Sequence, residues 1–269
     1  MNLAAFLALD KTLQRRKLAE LRRHARASGV LGKFLSFNVD PKTAKSNKSG
    51  KGYLTVIQYF APSKLSGRDV CVFASPGCRR ACLHTAGNPI YQKGKHKARI
   101  AKTRYYLNHF DNYTILLYAE LVAFVEKCDK FDLKPAVRLN GTSDIVWEFV
   151  FPELFELFPN VQFYDYTKDP TRTVVPSNYD LTFSLSETNL ADAVGQLRVG
   201  RRVAVVFDTK RTKPLPSHWQ GYSVGDADKD DLRFLDKASI SGLRAKGKAR
   251  NDCSGFVQKE QLYQLEVAA

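Results

Sequence analysis

The 269-residue sequence predicts an α/β fold, a complete or partial (β/α) barrel with parallel strands, carrying a basic helical N-terminal extension. Three observations carry this. Beyond residue 135, apolar runs of four to six residues alternate with helix-like stretches, the pattern of βαβ units. The unit recurs often enough to favour a barrel over an open doubly wound sheet. Residues 1–51 instead show helical spacing and hold a net charge of +9.

Taken in order, Leu3, Phe6, Leu7, Leu13, Leu18 and Leu21 recur at near-helical intervals between arginines, predicting a basic amphipathic helix or pair over Leu3–Ala27. Residues 40–52, Asp-Pro-Lys-Thr-Ala-Lys-Ser-Asn-Lys-Ser-Gly-Lys-Gly, show no packing face and read as a flexible loop. Residues 1–52 are therefore expected to form the extension, and 53–269 the barrel-like domain. Leu54–Phe60 reads as a strand, and Val70–Phe73 as a short one leading into three cysteines. Helices follow over Lys95–Phe110 and Tyr113–Lys127. The repeat then gives a strand at Ala136–Leu139, a helix at Trp147–Phe158, and strands at Val161–Tyr166 and Leu181–Ser184. A helix at Leu190–Leu197 precedes strands at Val203–Phe207, Gly221–Val224 and Ile240–Leu243.

The net charge of +15 is unevenly spread. Residues 79–104 hold +8 and no acid, which leaves the body outside these two segments at −2. A basic face beside a near-neutral body reads as a docking surface for nucleic acid or another polyphosphate. No run approaches the roughly 20 apolar residues that span a bilayer, so no membrane partner is expected. Met1–Arg26 lacks the apolar core and cleavage site of a signal peptide, so a cytoplasmic location is expected. Five cysteines without an export signal argue against a disulfide scaffold.

Parallel α/β folds bind ligands at the carboxyl ends of their strands. Polar groups lie at or after the end of every strand predicted beyond residue 135: Asn140-Gly-Thr-Ser-Asp144, Tyr164-Asp-Tyr-Thr-Lys168, Ser184 to Asn189, Asp208-Thr-Lys210, Gly225-Asp-Ala-Asp228 and Arg244-Ala-Lys-Gly247. Some are helix caps, with Asn189 expected as one. Asn140–Asp144 is longer than a cap requires. We therefore expect Asp144, Asp165, Lys168 and Glu187 to be the reactive or orienting groups. Asn140, Ser143 and Ser186 are expected to hold cofactor or substrate, with Arg138 or Arg244 taking a carboxylate or phosphate. Asp144 and Asp165 are expected on one rim, as crowded carboxylates facing the cysteines.

Cys71, Cys78 and Cys82 are separated by six and then three residues. Three thiolates on one loop can hold three irons of a four-iron cluster and leave the fourth open. Cys253 is available to close such a site. The alternatives are three structural thiols or a zinc held with His84. Cys128, at a helix end, reads as a small buried residue.

Cys71…Cys78…Cys82, Arg138-Leu-Asn-Gly-Thr-Ser-Asp144 and Phe163-Tyr-Asp-Tyr-Thr-Lys168, in order within roughly residues 54–255, resemble the phage "gene product 88" family. The Pro-Gly pair here precedes the second cysteine, and Gly precedes Thr-Ser-Asp, both departures from that pattern. The resemblance implies a phage or mobile-element origin and the cytoplasm of a host cell. A looser similarity is to radical S-adenosylmethionine enzymes, which carry three cysteines after the first strand of a partial (β/α) barrel, at spacing three and two. It implies a 4Fe-4S cluster whose fourth iron S-adenosylmethionine chelates.

Three functions are consistent with these residues. One is an iron–sulfur enzyme of radical type acting on a nucleotide or nucleic acid. The second is a nucleic-acid-binding protein with a structural metal. The third is a metal-dependent phosphodiesterase using Asp144, Asp165, Glu187, Asp208 and Asp226. The Gly-Lys pairs lack the context of a phosphate-binding loop, which disfavours nucleotide hydrolysis of that kind.

Overall fold

The structure, a computed structural model, describes residues 1–37, 41–87 and 91–259. The N-terminal leucine pattern folds as two helices, α1 (Leu3–Leu7) and α2 (Lys11–Ala27). Asn2 caps the first by accepting the Ala5 amide, and Asp10 caps the second by accepting those of Thr12 and Leu13. Leu3, Phe6, Leu21 and Ala25 are buried in the main core. Truncating Phe6, which is 1% exposed, is worth about 3–5 kcal/mol.

Strand β1 (Leu35–Ser36) pairs antiparallel with β2 (Tyr53–Gln58). Between them the expected flexible loop is corrected. Residues 41–47 form helix α3 (Pro41–Asn47), with Thr43 and Ser46 buried; residue 40 lies outside the described residues. Asn47 docks this helix on β2 by accepting the Thr55 amide at 2.6 Å and its hydroxyl at 2.9 Å. The contact is polar, so apolar periodicity carries no trace of it.

The chain continues through α4 (Pro76–Arg80), α5 (Gln92–Asn108), α6 (Phe110–Lys130), β3 (Lys134–Arg138), α7 (Trp147–Val150) and α8 (Glu153–Leu157). After these come β4 (Gln162–Thr167), β5 (Tyr179–Ser184), α9 (Leu190–Arg198), β6 (Val203–Phe207), β7 (His218–Trp219), β8 (Tyr222–Asp226) and β9 (Ile240–Arg244). Two expectations change. Val70–Phe73 is no strand, because Val72 and Phe73 face solvent and no strand among the described residues pairs with them. The helix expected at Trp147–Phe158 is broken between α7 and α8 at Phe151-Pro152, where proline denies the helix a donor.

Among the described residues, nine strands form one sheet in the order β1-β2-β3-β4-β5-β6-β9-β8-β7. Pairing is parallel except at its two ends. From β2 to β6, spatial order follows chain order. Among the described residues no pairing joins β1 to β7, so closure of a complete barrel is not seen. Alternation along the strands sets the two faces. Val137 and Phe163 join the helix-side core with Trp147 and Tyr113, while Ala136 and Tyr164 meet Leu232 and Phe234 on the other side. No described helix is long and apolar enough to cross a membrane.

Candidate functional site

A cavity of about 210 Å³ opens at the carboxyl ends of the parallel strands. The loop after β2 brings Cys71, Cys78 and Cys82 to its wall. The end of β3 and the loop after it bring Arg138, Asn140, Ser143 and Asp144. Tyr166 and Lys168 come from β4 and its end, Arg244 and Lys246 from β9 and its end, and Phe256 from the segment beyond.

The Asn140–Asp144 loop is held by its own polar groups. Asn140 Oδ1 accepts the Ser143 hydroxyl at 2.8 Å, the Ile145 amide at 3.0 Å and the Trp147 indole at 3.2 Å. Its Nδ2 donates to the Ile145 carbonyl and to Asp165. Asn140 and Ser143 are thus occupied in shaping the turn. At Gly141 a Cβ would lie 2.5 Å from the Gln58 carbonyl and the Tyr59 ring, so only glycine lets the loop lie against β2. Thr142 donates to the Phe60 carbonyl, and the Asp144 amide to that of Val70, which laces this loop to the cysteine segment.

The expected pair of crowded carboxylates is corrected. Asp144 lines the cavity, but its charge is matched: Arg172 Nη1 lies 3.1 Å from it and the Lys168 amide donates at 2.8 Å. Burial pushes its carboxyl up, against the opposing effects of the Lys168 amide and Arg172. Asp165 is buried away from the cavity lining, accepting the Asn140 amide at 2.7 Å and the Tyr179 hydroxyl at 2.7 Å. Burial drives its carboxyl up to about 7, with Arg138 opposing. Hydrogen-bond donors placed around each carboxylate, rather than mutual repulsion, define both.

The cations divide in two. Arg244 is clasped by Asp226 at 3.0 Å and Asp228 at 3.2 Å, and Lys246 also pairs with Asp228. Arg138 donates to Asp231 at 3.0 Å and lies over the Tyr166 ring, 4.5 Å from its centre. Lys168 Nζ donates to the neutral Ser184 hydroxyl at 2.7 Å and lies 5.6 Å from the Phe256 ring centre. Its positive charge faces the cavity with a hydroxyl for a partner, which suits an anionic group.

Glu187 and Ser186 lie off the cavity lining. Glu187 grips the cysteine-bearing helix, accepting the Gly77 amide at 2.6 Å and the Ser75 hydroxyl at 2.7 Å. The Ser186 amide donates to Asn189, whose side chain turns back and makes no cap bond to α9. Cys253 is exposed and off the lining, and Cys128 is buried in α6. His84 is half-buried, with the His96 ring 4.9 Å away; burial and nearby cations push it down to about 4.

Burial pushes the Cys71 thiol up to about 12 and raises that of Cys82, which Arg99 and Lys168 oppose. Among the described residues, no group of three or more His, Cys, Asp or Glu side chains is arranged to hold a metal ion. That finding bears on the four-cysteine set, on the zinc site with His84 and on the five carboxylates considered for a phosphodiesterase. Sequence reasoning missed Arg172, Tyr179, Asp231 and Phe256. Strand alternation alone would have paired Arg138 with Ala136 and Tyr166 with Tyr164 on one face.

A model of the family described as gene product 88 matches residues 33–259. No curated protein and no solved structure matches the chain.

Proposed function

The chain belongs to the gene product 88 family, and we propose that it acts as an iron–sulfur enzyme of the radical S-adenosylmethionine type. In this reading Cys71, Cys78 and Cys82 anchor a 4Fe-4S cluster, and S-adenosylmethionine occupies the cavity beside it. The observation that carries it is the convergence of all three thiols on one cavity, together with Lys168 and Arg138, at the strand ends. The cysteine loop comes after β2, the first strand of a parallel run whose order matches the chain from β2 to β6. That order is the one a partial (β/α) barrel takes.

Three thiols that share one cavity wall can each, as thiolates, hold a separate iron of a cluster. Bound there, a cluster would supply one-electron chemistry. Cys71 and Cys82 would give up their protons on loading; burial opposes this at both, and the charges of Arg99 and Lys168 favour it at Cys82. Lys168 holds an anionic group, and Tyr166 and Phe256 wall the cavity against water.

The test is anaerobic purification and reconstitution, with iron, sulfide and zinc quantified. About four irons and as much sulfide per chain are expected. The visible absorbance should vanish in Cys71→Ala, Cys78→Ala or Cys82→Ala, persist in Cys128→Ala and Cys253→Ala, and shift on adding S-adenosylmethionine. A protein holding stoichiometric zinc and no sulfide overturns the proposal in favour of a structural metal.

A further inference from the structure

We infer that the cationic rim beside this cavity takes the phosphate backbone of a single-stranded nucleic acid, delivering one nucleotide to the strand ends. The rim is built from two segments far apart in sequence. Residues 79–104 contain no acid. The turn at Gly247–Asn251 closes on the first segment: the Lys248 amide donates to Thr85 at 3.3 Å, and a Cβ at Gly247 would lie 3.0 Å from the Ala86 backbone. Helix α5 is drawn to the same place, since Gln92 and Lys95 donate to the Ala86 carbonyl at 2.7 and 2.8 Å. The two segments therefore make one surface, and both reach the cavity, because Leu83 and Ala249 line it.

The cations on that surface divide by role. Arg79 is paired with Asp69, and Lys95 is engaged by the Ala86 carbonyl. Lys93, Lys97, Lys248 and Arg250 are exposed. Tyr91, 71% exposed, directly precedes α5, the helix that carries Lys93 and Lys97. Cations interleaved with an exposed ring match a strand whose phosphates are held while its bases stack. A duplex fits poorly, since a base must leave its stack to enter a cavity. Docking stands on this geometry alone; reaction of the docked strand in the cavity rests on the iron–sulfur reading above.

The test is fluorescence anisotropy on the full chain with a labelled single-stranded oligonucleotide of about 15 nucleotides, over roughly 50 to 200 mM salt. Reversing Lys93, Lys97, Lys248 and Arg250 together to Glu should weaken binding at least about 100-fold. It should also lower the salt slope by about 3, at roughly 0.7 per lost phosphate contact. Tyr91→Ala should weaken binding by about 5- to 150-fold with the slope unchanged. The inference is overturned if the rim reversal binds like the parent, or if reversing the exposed Arg15 and Arg22 of α2 does equal damage. It is also overturned if polyglutamate or the duplex competes as well as the strand. A protein that takes up iron and sulfide but ignores the strand overturns this inference alone. One that binds the strand but holds only zinc overturns the cluster alone.

Discussion

The Glu187 carboxylate accepts the Gly77 amide at 2.6 Å, tying the segment after β5 to the cysteine-bearing helix 110 residues earlier. A second oxygen takes the Ser75 hydroxyl, so one side chain anchors the start of α4 twice. Hydrogen bonds to a charged group contribute about 1.5–3 kcal/mol. Glu187→Ala should lower stability by about that much in denaturant titration and speed amide exchange at Gly77 and Cys78. Unchanged exchange would mean that α4 is held by something else.

Gly77→Ala should reproduce that loss from the other side. A Cβ at position 77 would lie 2.6 Å from the Glu187 carboxylate and crowd Ser254 as well. Because both changes break one contact, their effects in the double variant should fall well short of additive. Full additivity in a double-mutant cycle argues against the shared contact.

Asp144→Ala should destabilise the fold by about 2–4 kcal/mol. Arg172 is buried between Asp144 and Glu148, and removing one carboxylate leaves its charge half-matched while the Lys168 amide loses its acceptor. A melting temperature equal to or above the parent's would show that these carboxylates are strained after all.

Asp165 makes a prediction about pH. Its carboxyl, ordinarily near 3.8, is pushed up to about 7 by burial. Folding therefore takes up a proton between these values. The stabilisation is full below about pH 4 and is lost as the pH rises through 7, at no more than about 1.4 kcal/mol per pH unit. Asp165→Asn should remove that slope from the stability profile, though it starts from a lower value because Tyr179 and Asn140 lose an acceptor. Parallel profiles for parent and variant would mean that Asp165 is ionised throughout.

Thiol chemistry separates the five cysteines before any metal is added. Burial pushes Cys71 and Cys128 up to about 12, and Cys253 is exposed. Alkylation near pH 8, followed by mass spectrometry, should label Cys253 first and spare Cys71 and Cys128. Early labelling of Cys71 would contradict its place in the wall.

The sequence by itself was enough to determine the α/β class, the repeat of short strands and the segments that converge. A parallel sheet exposes its strand ends on one side, so the residues just after each strand pointed to Asn140–Asp144, Lys168 and Arg244. The three clustered cysteines were legible as a group because they fall within twelve residues of one another. Only the tertiary structure decided what each polar group does. Asp165 and Asp144 look alike in sequence, yet one is buried beneath a turn it helps to hold and the other faces the cavity. Glu187 reads as a reactive carboxylate until its partners are seen to be Ser75 and Gly77. Helix α3 was invisible because hydrogen bonds to Asn47, rather than apolar burial, dock it. Apolar periodicity reports which face of an element is buried. It carries no record of which donor meets which acceptor when the two come from strands and loops a hundred residues apart.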